Sequence, residues 1–150
     1  MKTVKVGLLG LGTVGGGTVD ILTNTMPEIE RRLGQKIEIS IIAVRDLNRP
    51  RTVDTTGITL TDKSEEVVNH PDVDIVIELM GGTGLAKTLL ETAIKNKKHV
   101  VTANKALIAE HGNELFALAK ENGVLINYEA AVAGGIPVIK AVREGLAANK

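Results

Sequence analysis

The first residues placed to do chemistry are Gly10-Leu-Gly-Thr-Val-Gly15, three glycines at the spacing G-x-G-x-x-G. An apolar, valine-rich run precedes them and a segment of helical spacing follows. In that context such a triplet reads as a pyrophosphate cradle and not as simple turn chemistry. Gly10 permits the tight turn and Gly12 lets backbone amides approach the phosphates. Gly15 lets the helix lie close on the strand, with its positive end toward the anion. A dinucleotide is the ligand this predicts; Gly16 and Gly17 have no assigned part.

The next candidates stand at Val44-Arg45-Asp46, where a second apolar run ends. Asp46 could accept from a ribose 2′-hydroxyl, whereas the Arg45 guanidinium would pair with a 2′-phosphate. The distance from the glycines exceeds the usual spacing of about 20 residues. Arg45 tilts the reading modestly toward NADP, and Asp46 keeps NAD open. Arg49 and Arg51 add positive potential, although loop arginines are usually solvated. Two later loops follow strand ends, one with Gly81 and Gly82 and one with Thr102 and Lys105, and both are expected to flank the nicotinamide half of the ligand. Taken alone, Lys105 reads as a solvated surface lysine. Glu129 precedes the small residues Ala130 to Gly134, a composition that suits a hard cation held by one carboxylate and backbone carbonyls, without establishing one. His70, His99 and His111 lack metal-ligand spacing and read as structural or surface groups.

These groups need a scaffold that gathers several loops on one edge. Short β-branched or apolar runs predict strands at Thr3 to Leu9, Ile37 to Val44, Ile58 to Leu60, Asp74 to Glu78, His99 to Thr102 and Val124 to Tyr128. Between them lie helical patterns. One opens on the glycine loop and is divided at Pro27 from a further turn, Glu28 to Leu33, that Gly34 ends. Another starts at an Asp62/Glu65 capping box and runs through Val67 and Val68 to Pro71. A third carries Leu85, Leu89, Ala93 and Ile94 on one stripe, with Lys95, Lys97 and Lys98 at its negative end. A fourth, marked by Leu115, Leu118 and Ala119, closes at Gly123, and a last one is expected over Ile136 to Ala147. Strands alternating with helices predict an α/β fold: a doubly wound, mostly parallel Rossmann sheet with helices on both faces and short right-handed crossovers.

Composition narrows the function class. The 150 residues carry 18 basic and 18 acidic side chains, so no charge excess attracts nucleic acid or an anionic membrane. A small-molecule ligand is the expectation. There is no cysteine, which excludes disulfide and thiolate chemistry and fits a reducing, cytoplasmic setting. Neither a signal peptide nor an apolar run of about 18 residues is visible. Residues 1–150 read as one domain, and the final helix, with Ile139, Val142 and Leu146 on one face, is expected to lead into further structure.

Three segments together resemble homoserine dehydrogenases: Val6-Gly-Leu-Leu-Gly-Leu-Gly-Thr-Val-Gly15, Val100-Val-Thr-Ala-Asn-Lys-Ala-Leu107 and Tyr128-Glu-Ala-Ala-Val-Ala-Gly-Gly-Ile-Pro137. The resemblance spans essentially the whole chain, and the second and third segments are far more specific than the glycine loop. It implies NAD(P)-dependent interconversion of L-homoserine and L-aspartate 4-semialdehyde, on the route to threonine, methionine and isoleucine. It also implies that Thr13, Val14, Arg45 and Lys105 contact the cofactor, with Lys105 bordering the substrate. Glu129 and the backbones of Val132, Gly134 and Ile136 would form a structural sodium site. The family's principal proton donor, a second lysine, and its acidic substrate ligands belong to a later catalytic and dimerising domain. The expectation is therefore a homo-oligomeric whole protein, and little turnover from residues 1–150 alone. Another Rossmann dehydrogenase of an aspartate-derived metabolite, or a non-catalytic NAD(P) sensor, are the competing readings; fold alone does not separate them.

Overall fold

The computed structural model describes residues 3–10, 31, 34, 36–45, 47, 57–80 and 82–128. The expected glycine-loop helix, the turn at 28–33 and the final helix lie almost wholly outside these residues. Six strands form one sheet: β1 (Thr3–Leu9), β2 (Lys36–Ala43), β3 (Thr59–Thr61), β4 (Ile75–Glu78), β5 (His99–Thr102) and β6 (Ile126–Tyr128). Helices α1 (Ser64–Val68), α2 (Gly84–Lys95) and α3 (Lys105–Glu121) alternate with strands β3 to β6. The sheet order is β3-β2-β1-β4-β5-β6, and every pairing is parallel.

Parallel strands are apolar on both sides because both faces are covered, and the central strands follow this rule. Val6 and Leu8 of β1 belong to one buried cluster with Ile75 and Ile77. Leu9 and Val76 belong to the other, with α2 residues Leu89, Leu90, Ala93 and Ile94 and α3 residues Leu107, Leu115 and Ala119. The described helices thus all pack on this second face. In β2 the alternation breaks. The register shifts between Val6 and Gly7, so that Val6 pairs with Ile39 and Gly7 with Ile41. The extra residue, Ser40, reverses the phase: Ile39 joins the first cluster, Ile41 the second and Ile42 the first again. Gly7 lies against Val67 of α1. A Cβ built there would lie 2.7 Å from Val67 Cγ1 and 3.3 Å from both Val73 methyl groups.

Helix ends explain three differences from the sequence reading. The Asp62/Glu65 capping box is not made: β3 pairs with β2 as far as Thr61, so α1 starts later. Its N-cap is Lys63, without a side-chain cap bond, and the Thr61 hydroxyl accepts from Lys63 N at 3.1 Å. Leu85 is not part of the buried stripe of α2; it is 59% exposed, and Ala86 and Leu90 take the buried positions. Lys98 does not serve the end of α2 as a surface charge. Its side chain is buried, and Nζ donates to the carbonyls of His70 and of Val73, the latter at 2.8 Å. Burial pushes its pKa below the usual lysine value, while Asp74 and Asp72 pull it back up.

Both α2 and α3 close with Schellman motifs. Val124 N donates to Ala119 O at 3.0 Å and Gly123 N to Lys120 O at 3.2 Å, with Gly123 at φ 71. The same pair of bonds runs from Lys98 N to Ala93 O and from Lys97 N to Ile94 O, with Lys97 itself at φ 63. His99 is structural, as expected: buried at the start of β5, its Nδ1 accepts from Leu125 N at 3.0 Å.

Candidate functional site

In a sheet of this order the chain winds outward in opposite directions from β1 and from β4. The crevice at their carboxyl ends is where open α/β sheets bind ligands. Gly10 sits at that point. Its N–H donates to Ala43 O at 3.0 Å, and beside it Leu79 N donates to Leu9 O at 2.9 Å. Gly10 has φ 97, in the left-handed region, and a Cβ there would lie 3.4 Å from Leu79 C, Met80 Cα and Met80 Cγ. Only glycine combines that dihedral with so close an approach to the loop after β4. A pyrophosphate cradle needs such a turn with room for backbone to reach an anion, so this geometry fits a dinucleotide.

The walls of the crevice are held by a buried polar network. Glu78, the last residue of β4, is fully buried. Its Oε2 accepts from Met80 N at 2.7 Å, and its Oε1 accepts from the Thr102 hydroxyl at 2.7 Å. Thr102, the last residue of β5, is also fully buried, and its Oγ1 accepts from Asn104 N at 3.0 Å. Asn104 is the N-cap of α3: its Oδ1 accepts from Leu107 N at 3.0 Å, and its Nδ2 donates to the carbonyl of Gly82. Gly82 is at φ 76, and among the described residues a Cβ built there would meet nothing within 4 Å. One chain of bonds thus ties the ends of β4 and β5, the loop between β4 and α2, and the first turn of α3. A buried polar group is costly unless paired, so this network specifies loop geometry that an apolar edge would leave loose.

Of the predicted site residues, Gly10, Arg45, Gly82, Thr102 and Lys105 are described, and all follow or end strands on the same edge of the sheet. Arg45 is exposed just beyond the end of β2, and Lys105 is exposed as the first residue of α3. Thr102 turns its hydroxyl into the network. Gly12, Thr13, Val14, Gly15, Gly81, Glu129, Val132, Gly134 and Ile136 lie outside the described residues, as does Asp46. Among the described residues no group of three or more His, Cys, Asp or Glu side chains could hold a metal ion. Their helices include none long and apolar enough to cross a membrane. Glu78 carried no role in the sequence reading. The signal was present, a lone carboxylate closing an otherwise apolar strand, but its partners Thr102 and Met80 are set by strand pairing.

The strand order and the left-handed glycine turn at its switch point define a Rossmann-type nucleotide-binding domain. A family model described as "Homoserine dehydrogenase, NAD binding domain" matches residues 10–129. The chain belongs to that family. It is 58% identical to a homoserine dehydrogenase of Pseudomonas aeruginosa across 100% of its own length and 34% of that protein's. A homoserine dehydrogenase structure from Thiobacillus denitrificans matches with TM-score 0.83 and 53% identity, covering 99% of this chain and 34% of that one. One from S. aureus matches with TM-score 0.82 and 44% identity over 87% of this chain and 33% of the other. The chain therefore spans about a third of the length of the relatives it matches.

Proposed function

We propose that the chain forms the cofactor-binding part of an oxidoreductase that interconverts L-homoserine and L-aspartate 4-semialdehyde. The observation that carries this reading is the left-handed Gly10 turn at the β1/β4 switch point, packed against the loop after β4 that Asn104 ties to the start of α3, in a chain of this family. When bound, the nicotinamide ring supplies or accepts the hydride. The glycine loop, with Thr13 and Val14, holds the pyrophosphate, and the Gly81-Gly82 and Thr102-Lys105 edges border the nicotinamide. Lys105, exposed at the start of α3, places a cation where negative charge develops on a carbonyl oxygen during reduction. The principal proton donor is the family's second lysine, in the catalytic and dimerising domain that the resemblance places after this one. Residues 1–150 form the nucleotide-binding unit, and the expected helix 136–147 leads toward that domain. The whole protein acts as a cytoplasmic homo-oligomer in threonine, methionine and isoleucine formation. Glu129 and the carbonyls of Val132, Gly134 and Ile136 hold a structural sodium ion.

Arg45 gives the reading its cofactor preference, for NADP over NAD. Titration of the intact protein with NADPH and NADH tests it. NADPH should bind more tightly, and Arg45→Ala should remove most of the difference, about tenfold for one exposed charge-assisted pair. Tighter NADH binding would transfer the ribose contact to Asp46. Binding of neither would refute the dinucleotide reading.

A further inference from the structure

Lys105 is an exposed side chain at the first position of α3. The residue before it is fixed. Asn104 is 7% exposed and uses both ends of its amide, Oδ1 toward Leu107 N to start α3 and Nδ2 toward Gly82 O to grip the loop after β4. Its backbone N–H is in turn held by Thr102 Oγ1, which donates to Glu78. Capping alone requires only the Oδ1 bond, and a serine caps as well as an asparagine does. The second bond, to a loop 22 residues away in sequence, adds nothing to the start of the helix. It joins the Gly82 edge of the crevice to the helix that carries Lys105.

Resting on the function proposed above, we propose that Asn104 is a positioning residue for the hydride-transfer reaction. Its amide clasps the Gly82 carbonyl to the N-terminus of α3, so that Lys105 and the Gly82 loop are presented to the nicotinamide and substrate as one rigid edge. Glu78 supports this clasp through Thr102 and touches neither ligand. Misplacing a reacting group by about 1 Å costs on the order of a hundredfold in rate, so loss of the clasp is read in turnover more than in folding.

The test is steady-state kinetics of the intact protein with Asn104→Ser, alone and combined with Lys105→Ala. Serine keeps a cap acceptor for Leu107 N but is too short to reach Gly82 O. The expected result is a melting temperature within about 4 °C of the parent, as for loss of one hydrogen bond, with kcat/KM lowered about ten- to a hundredfold. On the Lys105→Ala background the same substitution should lower kcat/KM by clearly less than it does alone, because part of its effect passes through Lys105. Asn104→Asp, which also keeps the cap and lacks the donor, should reproduce the loss and serves if the serine variant does not fold. Unchanged kinetics in the variant that folds overturns the proposal. So does a loss that multiplies fully with that of Lys105→Ala, or one no larger than the fraction unfolded. If the parent protein neither binds NAD(P)H nor turns over homoserine, it is the proposed function that fails.

Discussion

Replacing Thr102 by valine removes one hydroxyl and leaves the shape of the side chain nearly unchanged. The residue is fully buried, so water does not take over the lost bonds. Two are lost together: the 2.7 Å bond donated to Glu78 Oε1 and the 3.0 Å bond accepted from Asn104 N. A buried group deprived of its partner costs about 1 to 3 kcal/mol, and a bond to a carboxylate falls in the upper half of that range. Because both bonds share one oxygen, and the added methyl recovers about 0.8 kcal/mol of burial, the net destabilisation is about 3 kcal/mol. In a chain of this length each kcal/mol moves the melting temperature by about 2 to 4 °C, so Thr102→Val should melt about 6 to 12 °C lower. Urea unfolding should show a lower midpoint with an unchanged slope, since the surface exposed on unfolding stays the same. Thr102→Ser is the control: it keeps the hydroxyl, loses only a methyl, and should cost about 1 kcal/mol. If valine proves no worse than serine, the network does not hold this edge and the account of it given above is wrong.

Gly7→Ala should destabilise by about 1 to 3 kcal/mol through overpacking, because its Cβ would lie 2.7 Å from Val67 Cγ1. Chemical denaturation checks this, and neutrality would mean that α1 can shift freely. Lys97→Gly should stabilise by about 0.5 to 1 kcal/mol: the residue ends α2 at φ 63, where any Cβ is strained. That gain exceeds the loss of its exposed bond to Asn122, and a lower melting temperature would contradict it. Lys98 has a folded pKa below its unfolded value of 10.5, so over the alkaline range just below 10.5 the unfolded chain binds more protons. Stability contributed by this group must then rise with pH through that window. Melting temperatures compared there for the parent and Lys98→Met should show the more positive slope in the parent, and parallel slopes would rule the effect out.

The strands were legible because each is a short run of β-branched or leucine residues bounded by turn signals, and in a parallel sheet such runs need no alternation. His99 to Thr102 falls as expected, and β1 does too. Elsewhere the boundaries moved for tertiary reasons. The third strand sits at Thr59–Thr61, not at Ile58 to Leu60, because its register is dictated by Ile41–Ala43. That shift takes Asp62 out of reach of the helix it was expected to cap. The Ser40 irregularity in β2 is invisible in the sequence, since Ile37, Ile39 and Ile41 keep one alternating phase across it.

The candidate site divides in the same way. Residue types and spacing alone determined the class of ligand, because a glycine triplet between a strand and a helical sequence pattern has few other uses, and the motifs around Asn104 and Lys105 pointed to the family. Local chemistry also decided that α3 ends at Gly123. Only the tertiary structure decided that Glu78, Thr102, Asn104 and Gly82, separated by up to 26 residues, share one chain of hydrogen bonds. Only the fold turned Lys98 from a surface charge into a buried donor. The physical reason is range. A turn, a cap or a run of β-branched residues is an energy of neighbours along the chain. Pairing of a buried polar group depends on which strands the sheet sets side by side.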